Sequence, residues 1–308
     1  MRYLIIGILF LQIACSSSAQ ERQVKTERKL FQKSSVEIKS PTTYSKRETE
    51  KGEYDPRPRV VLIDEKAGRY ELRWIGYDGK QKIVKYQRAD ALDALVEARI
   101  EKTSEAKFTY IYTIKNLSQS PNYLSRFIVQ TFGKDAKPVE NENIFIGDMS
   151  KSINDFKDGL WWMYSVHSGY SPQVIPGKSI EFKLISSALP GIVGCRATAG
   201  DLTLKGAGEH MPSELEDVLP GYAVWARCYT VGPIDRLATL NKSEKVKYIL
   251  ENLPKFQEVG WMSAGTAKIY KSILAKEDLT GTLVQAKKDL ENEFITGEVF
   301  YIIEGLNQ

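Results

Sequence analysis

Phe108-Thr109-Tyr110-Ile111-Tyr112-Thr113-Ile114-Lys115-Asn116-Leu117-Ser118 is the stretch that decides the fold. Phe108, Tyr110, Tyr112 and Ile114 recur at every second position, with Thr109, Ile111 and Thr113 between them. A period of two puts successive side chains on opposite faces of a strand, and aromatic and β-branched residues suit that pleated surface. Lys115 to Ser118 ends the run. Residues 89–101, just upstream, fit two patterns. Leu92, Leu95, Val96, Arg99 and Ile100 make a helical stripe, whereas Val96, Ala98 and Ile100 alternate. The neighbouring strand decides for a second strand at 95–101, paired with 107–115 across the polar connection Lys102–Ala106.

Further short runs lie on both sides. Val60–Ile63 and Tyr70–Ile75 come first, then Asp78-Gly79 and a return run Lys82–Tyr86. Asp-Gly between two such runs signals a hairpin, because the tight turn needs positive φ. Downstream, strands are expected at 125–131, 144–146, 161–166, 179–185, 191–197 and 222–230. Many short strands separated by Gly, Pro and Asn predict an antiparallel β-sandwich over residues 58–232, as one body or as two sheet units. From Pro233 the period changes. Ile234, Leu237, Leu240, Ile249, Leu250 and Leu253 mark helical faces, with Pro254 expected to interrupt. Ile269, Ile273 and Leu274 mark a second helical stretch; Leu279, Leu283, Ala286, Leu290 and Phe294 mark a third. Thr296-Gly297 precedes a last run to Leu306. Residues 233–308 therefore read as a small α-helical module, distinct from the sandwich, with Gly232-Pro233 as the boundary.

The chain begins Met1-Arg2-Tyr3, continues through the uncharged apolar run Leu4–Ala14, and reaches Cys15-Ser16-Ser17-Ser18-Ala19. That order is the layout of a bacterial export signal over residues 1–19, and the run is too short to span a bilayer. Two routes of processing stay open. Ser17-Ser18-Ala19 fits ordinary signal peptidase. Leu11-Gln12-Ile13-Ala14-Cys15 resembles a lipoprotein box that would lipidate Cys15, although Gln12 stands where Leu is usual. The expected location is extracytoplasmic, either secreted or periplasmic, or alternatively lipid-anchored to the membrane. Residues 20–57 carry ten basic and seven acidic side chains and no sustained period. Such a segment buries too little apolar surface to offset its ordering entropy, so it reads as a disordered charged spacer.

The 43 basic and 39 acidic side chains nearly balance, which argues against a nucleic-acid partner. Beyond Cys15 the chain holds Cys195 and Cys228. An even pair in an exported protein is expected to form a disulfide, closing a loop of roughly 33 residues and contributing ~3 kcal/mol in the chain-entropy model.

Two stretches carry a resemblance. Tyr110–Ser118 resembles the tyrosine-rich strand and kinked Lys-Asn-Leu segment of immunoglobulin-like sandwich proteins of bacterial envelopes. Ile175-Pro176-Gly177-Lys178-Ser179-Ile180-Glu181-Phe182, followed by Leu189-Pro190-Gly191-Ile192-Val193-Gly194-Cys195, is similar to the later half of uncharacterised secreted bacterial proteins. There a Pro-Gly turn leads into a strand and then a Leu-Pro-Gly turn. Leu279–Leu306 looks like the small helical modules that end some of them. The resemblance implies an immunoglobulin-like sandwich followed by helices. Its motifs are turns and strands, and they bring no catalytic residues with them.

Reactive constellations are scarce. The two histidines, His167 and His210, are far apart, and no zinc-protease, nucleophile-elbow or phosphate-loop motif occurs. His167 between Ser165 and Ser168 is the one serine-triad candidate. Asp148, Asn154, Asp155 and Asp158 could supply oxygens to Ca²⁺, with Asp148, Asp155 and Asp158 as candidate metal ligands, although solvated turn residues explain them equally. No other cofactor is expected. The same carboxylates could serve glycoside hydrolysis if paired in space. Trp161, Trp162, Tyr164, His167 and Tyr170 fall within ten residues. On a strand, Trp162 and Tyr164 face one way while Trp161 and Met163 face the other, so Trp161, Trp162, Tyr164 and Tyr170 are candidate ligand-binding residues, set against an ordinary core role. The function expected is a non-catalytic extracytoplasmic binding or interaction protein of the bacterial cell envelope, taking a polysaccharide or a protein partner. It would touch membrane only through an N-terminal lipid. The alternatives are a carbohydrate-active hydrolase or sugar-binding accessory protein, and an assembly role in which the helices dock a partner.

Overall fold

A computed structural model describes residues 26–33, 47–49, 52–76, 78–103, 106–139, 145–148, 160–165, 174–199 and 225–308. Cys15, Asn154, Asp155, Asp158, His167, Tyr170 and His210 lie outside the described residues.

The first sheet is an antiparallel meander of β1 (Arg47–Thr49), β2 (Gly52–Asp64), β3 (Arg69–Ile75) and β4 (Gln81–Gln87). Asp78-Gly79 makes the turn from β3 to β4, with Gly79 at φ 69° and Asp78 Oδ1 accepting the Lys80 N–H at 3.1 Å. Tyr70, Leu72, Trp74, Val84 and Tyr86 share its buried face, and the rings of Tyr70 and Tyr86 stack 5.3 Å apart.

The sandwich follows. Its strands are β5 (Ala94–Lys102), β6 (Phe108–Asn116), β7 (Leu124–Thr131), β8 (Lys137–Pro138), β9 (Phe145–Asp148), β10 (Leu160–Ser165), β11 (Ser179–Ser186), β12 (Leu189–Ala199) and β13 (Ala226–Ile234). One sheet has the order β13-β12-β7-β10-β9 and the other β5-β6-β11-β8. The alternating runs thus form the immunoglobulin-like antiparallel sandwich expected, and residues 94–102 are a strand. Between the layers, Tyr112 and Phe182 of the second sheet meet Phe127 and Tyr164 of the first, with ring centroids 4.4–5.9 Å apart. Asn116, at the kink after the tyrosine-rich strand, donates to the carbonyls of Asn122 and Val174, both at 2.8 Å. Asn122 in turn donates to the Ala91 carbonyl and hydrogen-bonds Gln87 at the end of β4, which joins the meander to the sandwich.

Two turn expectations shift. Ile175–Lys178 is a turn, with Gly177 at φ 84°, but Leu189-Pro190-Gly191 lies within β12 and the bend falls at Ser187-Ala188. Gly232-Pro233, expected at the change from strands to helices, is strand as well. It lies within β13, where Pro233 pairs with Pro190.

A 3₁₀ turn (Asp235–Thr239) leads to four helices: α1 (Lys242–Glu258), α2 (Ala264–Leu274), α3 (Leu279–Glu291) and α4 (Gly297–Leu306). A reciprocal capping box between Asn241 and Glu244 starts α1. Pro254 lies inside α1 and does not end it. An interior proline costs ~3 kcal/mol, but Val246, Ile249, Leu253 and Phe256 are all buried on one face, and that packing outweighs the loss. The helices follow the sandwich as expected and pack directly against it. Leu237, Ile249, Phe256, Ile302 and Leu306 belong to the same continuous core as Tyr112, Phe127 and Cys195. The Tyr248 hydroxyl accepts the Ile192 N–H of β12 at 3.0 Å.

Part of the expected spacer is also ordered. Residues 26–33 form a strap along the open side of the sandwich, where β5 and β13 are the free edges. The Phe31 N–H donates to the Ala94 carbonyl of β5 at 3.1 Å, while Gln32 and Arg227 of β13 exchange backbone hydrogen bonds of 2.7 and 2.9 Å. Phe31 itself is buried in the core. Glu298, in the first turn of α4, is 0 % exposed. Its Oε1 accepts the Ala98 N–H of β5 at 2.8 Å, and Arg28 of the strap pairs with both of its oxygens. Edge-strand N–H and C=O groups that would otherwise face water or another chain are thereby covered. Charge count alone misses this, because one apolar residue and one arginine fix the segment. Gly260, at φ 72°, lies so close to the Glu27 carbonyl that no β-carbon would fit between them.

Two outcomes follow from this packing. Arg28→Ala would leave a buried carboxylate with only a backbone donor, so stability in urea should fall by about 3 kcal/mol, and Arg28→Ala with Glu298→Gln should recover part of it. A loss under about 0.5 kcal/mol, the scale of a surface pair, would contradict the buried bridge. Gly260→Ala should detach the strap and open the Arg28-Lys29 bond to trypsin while the sandwich stays intact; unchanged cleavage would contradict its seating.

Candidate functional site

The outer face of the five-stranded sheet holds a recess. Along β12, Val193, Cys195 and Ala197 join the core between the sheets, so Gly194 and Arg196 face outward. Register places Gly194 opposite Tyr229 of β13, and Cys195 opposite Val129 of β7. Gln130 of β7 lies opposite Trp161 of β10. One row across four strands therefore reads Tyr229, Gly194, Gln130, Trp161. The next row reads Arg227, Arg196, Ile128, Met163.

Gly194 is the floor. A β-carbon there would lie 3.3 Å from Gln130 Oε1 and 3.4 Å from the Trp161 ring, so any larger side chain fills the space. The Arg196 guanidinium sits over Trp161 at 5.2 Å and the Lys255 ammonium over Tyr229 at 5.5 Å. Cations in these positions are held by the ring quadrupoles. Lys29, Leu30 and Gln32 of the strap and Glu258 and Val259 at the end of α1 complete a recess of about 410 Å³. Gln32 Nε2 donates to Glu258 Oε1 at 3.2 Å, tying strap to helix at the rim. Among the described lining residues, Glu258 is the one carboxylate, whereas Lys29, Arg196 and Arg227 are cationic.

The aromatic candidates are used for packing. Trp161 does face outward, but it is 5 % exposed and packs with Ile128, Met163 and Trp225. Trp162 faces the other way and is partly buried against the main core. Tyr164 is 1 % exposed, its ring 4.4 Å from Phe182 and its hydroxyl donating to the Lys183 carbonyl. Burial pushes its phenol well above the usual range. Trp161 and Tyr164 thus keep almost no ring surface open to a ligand. Tyr170, Asp155 and Asp158 lie outside the described residues, and Asp148 is placed at the end of β9, opposite Trp162. Among the described residues, no three His, Cys, Asp or Glu side chains gather as a metal site. On the helices, Val284 is the exposed large apolar residue among those described. No described helix is long and apolar enough to cross a membrane.

The disulfide expected between Cys195 and Cys228 is not formed: the two residues lie opposite each other in neighbouring strands of one sheet, and both are free thiols. Burial pushes the Cys195 thiol well up. The hydrogen bond from Cys195 brings the Cys228 thiol down. The residues the sequence reading missed are Gly194, Arg196, Arg227, Tyr229 and the strap. Arg196 and Arg227 each interrupt an apolar strand run, but only the register shows that they adjoin.

No protein-family model matches the chain, and no curated protein matches it. Three solved structures are similar to part of it. One is an uncharacterized protein from Nocardia farcinica with an immunoglobulin-like fold, at 15 % identity over 38 % of this chain and 86 % of that chain, TM-score 0.28. Another is a chitin-binding domain from Streptomyces coelicolor, at 15 % identity over 37 % of this chain and 87 % of that chain, TM-score 0.22. The third is a cohesin module of a family 33 glycoside hydrolase from Clostridium perfringens, at 9 % identity over 47 % of this chain and 98 % of that chain, TM-score 0.27. These superpositions are slight, and the fold assignment rests on the strand order and register of this chain.

The core reading of Tyr164 is directly measurable. Tyr164→Ala should cost about 3–5 kcal/mol in chemical denaturation, and Tyr164→Phe about 1 kcal/mol or less. A Tyr164→Ala chain of unchanged stability would instead mark the ring as reserved for a ligand.

Proposed function

We propose that this chain is a non-catalytic extracytoplasmic binding protein of the bacterial cell envelope, and that the recess above Gly194 engages an acidic envelope polysaccharide. The export-type N-terminus supports the location. The observation that carries the ligand class is the outward row of Arg196 and Arg227, directly opposite each other on β12 and β13. Two guanidinium groups on neighbouring strands can both donate to one anionic group, and charge-assisted hydrogen bonds of that kind are the strong ones. Lys29 adds a third cation at the rim, Gln32 and Gln130 supply amides, and the partly exposed Tyr229 ring, with Lys255 over it, adds an apolar wall. Sugar recognition commonly combines such a wall with a few fixed polar groups.

The test is co-sedimentation with purified cell-wall sacculi and binding to a soluble uronic-acid polymer, with a neutral glucan as control. The full chain should bind the acidic polymers, and Arg196→Ala with Arg227→Ala should weaken binding by about tenfold or more, since each charged hydrogen bond is worth ~1.5–3 kcal/mol. Gly194→Leu, which fills the floor, should do the same with unchanged circular dichroism. Equal binding by all three chains would contradict the assignment.

A further inference from the structure

The first sheet carries an inference independent of the polysaccharide reading. A free sheet edge presents backbone N–H and C=O groups that another chain can pair with, and short edge strands, lysines or a covering segment are the usual protection. Among the described residues, the strap covers β5 and β13, β8 and β9 are two and four residues long, and β4 carries Lys82 and Lys85. The edge at β2 has none of these. β1 pairs only with Gly52–Tyr54 at its start, and among the described residues Arg59–Leu62 pairs with β3 alone. The apolar run Val60-Val61-Leu62-Ile63 lies on this open edge, with Leu62 48 % and Ile63 54 % exposed.

That edge is unfinished on its packed face and self-complementary in charge. Leu62, Tyr70 and Tyr86 form one row across β2, β3 and β4, and Val60, Leu72 and Val84 form the next. Tyr70 and Tyr86 are buried, so the cover on this face stops at Leu62. Arg59 precedes the apolar run and Asp64-Glu65 follow it. An antiparallel copy therefore brings the basic end of each strand to the acidic end of the other. We propose that β2 pairs antiparallel with β2 of a second copy of this chain, across a two-fold axis through Val61. Opposed residues in such a ladder share a face, so Val61 meets its own copy, Val60 meets Leu62 of the second copy, and Arg59 meets its Ile63. The row Tyr86, Tyr70, Leu62 then runs on through Val60, Leu72 and Val84 of the second copy, and the packed face continues across the axis. The Arg59 stem lies along Ile63 of the second copy, and its guanidinium reaches Glu65 there, the diagonal neighbour on the same face. An irregularity in β2 between Leu62 and Asp64 leaves Arg59–Leu62 in regular register with β3. The contact uses the same patch on both copies and closes at two, because the outer edges of the joined sheet are the lysine-bearing β4 strands. So short a ladder gives a weak, reversible dimer rather than an obligate one.

Sedimentation velocity over a concentration series tests this, with the full chain carrying Cys15→Ser so that no lipid is attached. The parent chain should show a reversible monomer–dimer equilibrium. Leu62→Lys with Ile63→Lys, at two exposed positions, should weaken the dimer at least about tenfold with unchanged circular dichroism, since inserted edge lysines block strand pairing. Arg59→Glu places like charges across the axis twice and should weaken it about tenfold as well. Arg59→Glu together with Glu65→Arg restores opposite charges and should bring the dimer back to within about threefold of the parent. That recovery separates a paired edge from a general effect of charge or a misfolded variant. A parent chain that stays monomeric at its highest soluble concentration, association that survives the two lysines, or a charge reversal that restores nothing would overturn the proposal.

Discussion

The carboxylate of Glu298 is the point on which the structure turns. It has no exposure to water, yet it is satisfied on every side that matters: the Ala98 N–H of an edge strand on one flank, the Arg28 guanidinium on the other. A buried charge is tolerated only when paired and hydrogen-bonded, so three segments must be in place together. These are the strap near residue 28, strand β5 and the start of α4, drawn from the two ends and the middle of the chain. Phe31 fixes the same junction by filling the core while its backbone caps β5, and Gln32 does so by pairing with β13. The open side of the sandwich is closed by residues hundreds of positions apart.

The recess inherits its shape from that closure. Its floor and far wall belong to the sheet, through Gly194, Gln130 and Trp161. Its near wall belongs to the strap and to the end of α1. Trp161 contributes as a packed support for Arg196, with most of its ring covered, and this changes its meaning. The residues that meet solvent are cations and amides set on rigid strands, which is how a scaffold holds a polar polymer at low entropic cost.

Much of the architecture was legible from local pattern. Tyr110, Tyr112 and Ile114 alternate because one face of β6 packs against Phe127 and Tyr164, and Asp78-Gly79 turns where the backbone needs positive φ. Long-range contacts were not legible. Arg28 and Phe31 look like any residues of a charged segment until Glu298 and the edge of β5 are brought beside them. Pro254 reads as a helix breaker until the buried face of α1 is seen to hold the helix together. Gly232-Pro233 reads as a boundary because turn residues are punctuation locally, whereas here they lie in a strand that continues to the first helical turn. The site was hidden for the same reason. Gly194, Arg196, Arg227 and Tyr229 become neighbours only through the pairing of β12 with β13, and register is not written in either strand alone.

The central claim is that sandwich and helices share one core and unfold together. Native-state hydrogen exchange at rising urea tests it most directly, by following the amides of Tyr110 and Tyr112 in β6 beside those of Ile302 and Ile303 in α4. One opening free energy with one urea dependence for all four is the result expected of a single cooperative unit. Exchange of the α4 amides through a lower-energy opening, with β6 still protected, would show the helices to be an independent appendage and would contradict the account.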